Sequence, residues 1–176
     1  MVFWILIGFL SFLFLLDGTV LQPFLPQAWG SDFVFIPQLM VSGIILLSLH
    51  RGRRVGLLYG FFFGLLYDLS YGSTIGVYAF STAVIGYIAG QISRQFVSGP
   101  IMALLTTGMG QAIHLLMVYS WYRLFELTQV GAHDAFMYRM FPSVLFNTVI
   151  AFPIYHGIQW IFRRYSPRFG SLFGKR

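Results

Sequence analysis

The stretch Val55-Gly-Leu-Leu-Tyr-Gly60-Phe-Phe-Phe-Gly64-Leu-Leu-Tyr-Asp68-Leu-Ser-Tyr-Gly72-Ser-Thr-Ile-Gly76 decides the fold. Gly56, Gly60, Gly64 and Asp68 recur at every fourth position. In an α-helix four residues turn about 40° past a full revolution, so these positions form a slowly drifting stripe of bare backbone that ends in a carboxylate. Phe61, Phe62, Phe63, Leu57, Leu58, Leu65 and Leu66 crowd the other faces. A neighbouring helix must lie close along the stripe, and whatever meets Asp68 must satisfy a charge inside an apolar segment.

Composition sets the solvent of this helix. The chain of 176 residues is 57% hydrophobic and 9% charged, which leaves too little polar surface to cover a water-soluble core. Its apolar runs of about 20 residues match the hydrocarbon thickness of a bilayer instead. The expectation is one integral membrane domain, residues 1–176, all-α and polytopic. With no cysteine, disulfides, cysteine-ligated metals and thiol catalysis are excluded. The first apolar run lacks a basic leader and a small-x-small cleavage site, and reads as a retained span.

Six spans are expected, at about residues 2–21, 33–49, 55–69, 74–92, 101–122 and 141–162. Pro23, Pro26, Trp29 and Gly30 break the chain after the first span, and Pro37 falls near the start of the second, where a proline costs least. The short turn 70–73 forces the third and fourth spans antiparallel. Thr82, Gly86 and Gly90 repeat the small-residue spacing on the fourth span, so Gly56, Gly60, Gly64, Gly86 and Gly90 are read as helix-packing positions that hold the third and fourth spans tightly on each other first and a partner second. The segment 123–140 is the most water-compatible loop and is expected to hold a short interfacial helix.

An even number of spans puts both termini on one side. Arg51, Arg53, Arg54, Arg94, Arg163, Arg164, Arg168, Lys175 and Arg176 then fall together, against Arg123 and Arg139 opposite. That bias reads as positive-inside topology, with Arg51, Arg53, Arg54, Arg163 and Arg164 as the cytoplasmic basic groups, and it accounts for the net charge of +6 without a nucleic-acid partner.

Asp17, Asp68 and His114 fall at similar depth by helical rise, near the outer leaflet. Two readings stand: one structural polar cluster, with Arg123 reaching down to it, or three unrelated interfacial side chains. A buried carboxylate needs a partner or a proton in either case. No catalytic set is legible: His-Glu-x-x-His, Gly-x-Ser-x-Gly, a phosphate loop and paired metal-ligating histidines are all absent from the sequence, so no cofactor and no metal are expected.

Gly60, Gly64, Leu65, Asp68, Leu69, Gly72, Gly76, Tyr78, Ala79 and Phe80, in that spacing, resemble the signature region of the MreD family of bacterial rod-shape-determining membrane proteins. The resemblance implies a multi-pass protein of the bacterial inner membrane and a non-enzymatic scaffold role in the cell-elongation complex that makes peptidoglycan. It further implies an MreC-type single-span partner, with MreB filaments, RodA and penicillin-binding-protein synthases nearby, and a fold like the substrate-binding subunits of energy-coupling-factor transporters. On the sequence, the glycine stripes of the third and fourth spans offer a seat for such a partner helix, and the basic turn offers contacts to anionic membrane lipid or a filament. The alternative is that the chain is itself such a vitamin-binding subunit. Its first span reads Phe9, Leu10, Phe12, Leu13, Phe14, Leu15 and Leu16 rather than small residues at four-residue spacing, which argues against that.

Overall fold

Residues 39–49 are buried without interruption in the computed structural model, which describes residues 2–31, 33–72, 74–96 and 99–165. They make up most of helix α2 (Leu39–Arg51), whose sequence is apolar on every face and therefore needs neighbours on every face. Around it stand α1 (Val2–Leu15), α3 (Arg53–Tyr71), α4 (Val77–Phe96), α5 (Pro100–Leu124) and α7 (Phe141–Tyr165). A three-residue α6 (Ala132–Asp134) runs through a π-helical stretch, Ala135–Met140, into α7. No strand occurs among the described residues.

Among the described residues, three helical stretches are long and apolar enough to cross a bilayer: Phe3–Val20, Pro100–Leu124 and Ala132–Tyr165. α2 and the Val77–Ile92 part of α4 are apolar but shorter. Leu105, Met109, Val149 and Phe152 are exposed on the outer faces of α5 and α7, as expected where the surroundings are hydrocarbon rather than water.

The expected second span begins too early. Residues 33–38 are not helical, and helix starts only at Leu39. Pro37 explains the change: it lacks an N–H, and it pushes the preceding Ile36 away from helical geometry. Non-helical backbone at this depth requires side chains to satisfy it. Smaller differences occur at the ends. α1 passes into a π-helical turn at Leu16–Val20, and α3 starts two residues before Val55 and continues to Tyr71. Gly52, with φ of +88°, makes the tight joint between α2 and α3, and Gly76, with φ of +109°, leads into α4. Asp32, Ser73, and the basic tail with Arg168, Lys175 and Arg176 lie outside the described residues, as does the side chain of Arg94.

Candidate functional site

The most intimate contact in the molecule is between α3 and α4. A Cβ built on Gly60 would lie 2.5 Å from the Thr82 carbonyl oxygen, and one on Gly64 would lie 2.6 Å from that of Tyr78. Gly56 and Gly86 oppose each other so closely that a side chain on either would strike the partner's carbonyl, and Gly90 rests on the backbone of Arg53. The two small-residue stripes therefore close on each other. This is the packing of the third and fourth spans on each other that the spacing predicts; the further expectation of a seat for a partner helix on the same stripes is corrected, because the surface is already filled from within the chain.

At the end of the α3 stripe, Asp68 is 1% exposed and reaches across the turn to the start of α4. Its Oδ2 accepts the N–H groups of Gly76 at 2.8 Å and Ala79 at 3.0 Å, and its Oδ1 accepts that of Tyr78 at 3.0 Å. The first N–H groups of a helix have no partner within it and carry the positive end of its dipole, so a carboxylate here satisfies both needs. Asp68 is an N-cap supplied by the preceding helix.

Asp17 repeats the arrangement one helix pair earlier. From the π-helical turn after α1, its Oδ1 accepts Leu39 N–H at 2.8 Å and its Oδ2 accepts Met40 N–H at 2.9 Å, at the start of α2. The non-helical segment before α2 is held by α7. Asn147 accepts Gln38 N–H and donates to the Ile36 carbonyl, both at 2.8 Å, while Ser143 Oγ accepts Ile36 N–H at 2.8 Å. Gln27 clamps Phe35 in the same two-sided way.

His114 lies on α5 and is fully buried. Its Nδ1 is 3.0 Å from Gln38 Nε2 and its Nε2 is 3.1 Å from Thr82 Oγ1. An amide nitrogen can only donate, so Nδ1 accepts and the ring proton sits on Nε2, directed at Thr82. Tyr78 packs edge-on against the imidazole. The same polar interior holds Gln111, whose amide donates to Ser42 Oγ, while Ser42 in turn donates to the Gln38 carbonyl.

Asp17, Asp68 and His114 are thus not hydrogen-bonded to one another. Each carboxylate is bound by backbone amides of a different helix, and the imidazole by Gln38 and Thr82. Arg123 does not reach inward either; it is exposed and directs NH1 to the Thr128 carbonyl at 3.4 Å. Sequence reasoning missed Gln38, Thr82, Gln111, Ser143 and Asn147 as members of the polar interior. The available signal was an amide or hydroxyl side chain within an otherwise apolar span, which is costly unless paired.

The basic residues gather at the other end of the bundle. Arg51 lies over the Phe162 ring at 5.0 Å, and His50 stacks on the same ring. Arg53 donates to Gln91 Oε1 at 3.0 Å and lies over Tyr87, while Arg54 is exposed. Arg163 and Arg164 end α7 beside them. Among the described residues, no group of three or more His, Cys, Asp or Glu side chains is placed to hold a metal ion.

A tightly joined α3–α4 pair, with an aspartate cap placed at the end of a glycine stripe, is the residue pattern singled out above. The sequence profile described as rod shape-determining protein MreD matches residues 2–165, nearly the whole chain. The chain belongs to the MreD family. Among curated relatives, the rod shape-determining protein MreD of Bacillus subtilis (strain 168) is 25% identical over 120 residues, covering 68% of this chain and 70% of that protein. No solved structure matches significantly. The MreD family is named for determining cell shape, and membership makes the chain a rod-shape-determining membrane protein.

Proposed function

We propose that the chain is a non-enzymatic scaffold of the bacterial cell-elongation machinery. In this reading a single domain is held in the inner membrane by six spans with both termini cytoplasmic, and binds a single-span MreC-type partner by helix packing. The use of the two membrane carboxylates carries this proposal. Asp17 and Asp68 are both occupied by backbone N–H groups at helix starts, so the charges that a membrane enzyme or proton carrier would use for chemistry hold helices in place.

Six spans are supported by lengths as well as by the arginine distribution. α3 and α4, of 19 and 20 residues, each reach about 30 Å, the thickness of a bilayer core. α2 alone reaches about 20 Å, and the non-helical residues 33–38 before it lengthen the span. Family resemblance favours a fold like the substrate-binding subunits of energy-coupling-factor transporters. A vitamin-binding role draws less support: the cavity bordered by Tyr78, Tyr119, Tyr122 and Arg139 holds about 160 Å³, below the roughly 300–1,000 Å³ of sites for drug-sized ligands.

With the glycine stripes closed on each other, an MreC-type helix would use exposed apolar ridges such as Leu105, Met109 and Ile113 on α5. The basic end would face MreB filaments and anionic lipid, and RodA and penicillin-binding-protein synthases would join through the partner. Co-purification of MreC with its own anchor, against MreC carrying an unrelated apolar helix, tests this. Loss of binding on anchor replacement is expected. Undiminished binding would place the interface in the loops, and no binding of either form would favour the vitamin-transporter reading.

A further inference from the structure

Helices α1 and α3 meet through aromatic side chains at two levels, Phe3 with Tyr59 and Phe14 with Tyr67. A groove of about 480 Å³ lies on this seam. Its walls are two four-residue ridges, Phe3, Ile7 and Ser11 on α1 and Leu58, Phe62 and Leu66 on α3. Continuing the α3 ridge by one turn toward the basic end leads to Arg54, which is exposed.

We propose that this groove holds one acyl chain of an anionic phospholipid whose phosphate lies at Arg54. The proposal rests on the reading that α3 crosses the bilayer with its arginine end at the surface. Length fits a lipid of that leaflet. Leu58 to Leu66 spans about 12 Å and Arg54 lies about 6 Å further, so headgroup and chain would cover about 18 Å, against about 15 Å for half a bilayer core. Shape suits a chain: the groove is a furrow between two side-chain ridges, narrow enough for one flexible acyl chain to lie along it. Charge selects the headgroup. Arg53 is engaged with Gln91 and Tyr87, so Arg54 is the guanidinium in line with the ridge, and it complements a phosphate without a compensating cation.

Native mass spectrometry of the full chain, loaded with phosphatidylglycerol or phosphatidylcholine of identical chains, tests the site. The expected result is one retained phosphatidylglycerol, favoured about fivefold over phosphatidylcholine, the preference that one arginine near a headgroup gives. Arg54→Gln should remove the preference while leaving some chain-driven retention of both lipids. Ile7→Trp should lower retention of both; if that variant does not fold, Phe62→Trp on the exposed rim is the same test with less disturbance of the core. Equal retention of the two lipids by the unaltered chain, or unchanged retention in the tryptophan variants, would overturn the proposal. Unchanged lipid retention together with loss of a co-purifying single-span protein in Phe62→Trp would assign the groove to a helix instead. Arg54→Cys separates the two levels. If a water-soluble thiol reagent does not reach it, the placement of α3 fails and the site fails with it; if the cysteine reacts but no lipid preference exists, the site fails alone.

Discussion

The carboxylate of Asp68 lies 3.0 Å from the backbone nitrogen of Ala79, so the side chain that ends one helix starts the next. Together with the bonds to Gly76 and Tyr78, it fixes where α4 begins and at what angle it leaves the turn. The glycine stripe then carries the two helices along each other.

Asp68→Asn should be tolerated better than Asp68→Leu. The amide keeps an oxygen where Gly76 and Ala79 donate, but turns its own N–H groups toward that of Tyr78. Leu would leave all three backbone donors buried without an acceptor, at about 1–3 kcal/mol each before relaxation. Thermal unfolding in detergent should rank the unaltered chain above Asn and Asn above Leu. Equal loss for both with the fold intact would mean that ionisation itself is required.

Gly60→Leu and Gly64→Leu should separate α3 from α4 and cost about 3 kcal/mol, the upper end of overpacking costs, since the obstruction is backbone and cannot move aside. Phe62→Leu, on an exposed position, should stay within about 0.5 kcal/mol. The difference is readable as detergent stability, and equal behaviour of the three variants would contradict the close approach.

Asp17→Ala should destabilise by about 1–2 kcal/mol, as the loss of a helix cap does. The effect should be local. Amide exchange at Leu39 and Met40 should accelerate more than exchange at Ala79, and a uniform acceleration would count against a cap at α2.

Asn147→Ala should exceed Thr148→Ala in cost. It leaves the Ile36 carbonyl and the Gln38 N–H unpaired at a buried position, about 2–5 kcal/mol for the pair, whereas Thr148 bonds only within its own helix. Chemical unfolding of the two variants decides the order.

Since the sequence has no cysteine, single cysteines at Ser98 and Ala132 report topology directly. An impermeant reagent applied to sealed cells should label only the one at Ala132. Labelling of both would rule out the arrangement with the basic end inside.

Local chemistry made much of this legible. Apolar runs and the scarcity of charge announce helices in a membrane, because unpaired backbone cannot remain in hydrocarbon. The four-residue recurrence of Gly56, Gly60 and Gly64 marks a close-packing face without reference to any other part of the chain. The azimuth of a side chain and the identity of its partner are different, since they depend on which faces meet across long sequence separations. Asp17 and Asp68 were recognisable as carboxylates needing donors, but only the assembled bundle puts the first turns of α2 and α4 in front of them. The non-helical segment 33–38 survives because Ser143 and Asn147, more than one hundred residues later, supply hydrogen bonds that helix would otherwise have made. Spacing and composition by themselves determined an all-helical membrane chain with a glycine-faced third helix. Spacing also pointed to the fourth helix as its neighbour; tertiary structure decided that no room is left there for a partner and that each aspartate holds a separate helix start, because a buried polar group is settled by whichever donors the packing brings within reach.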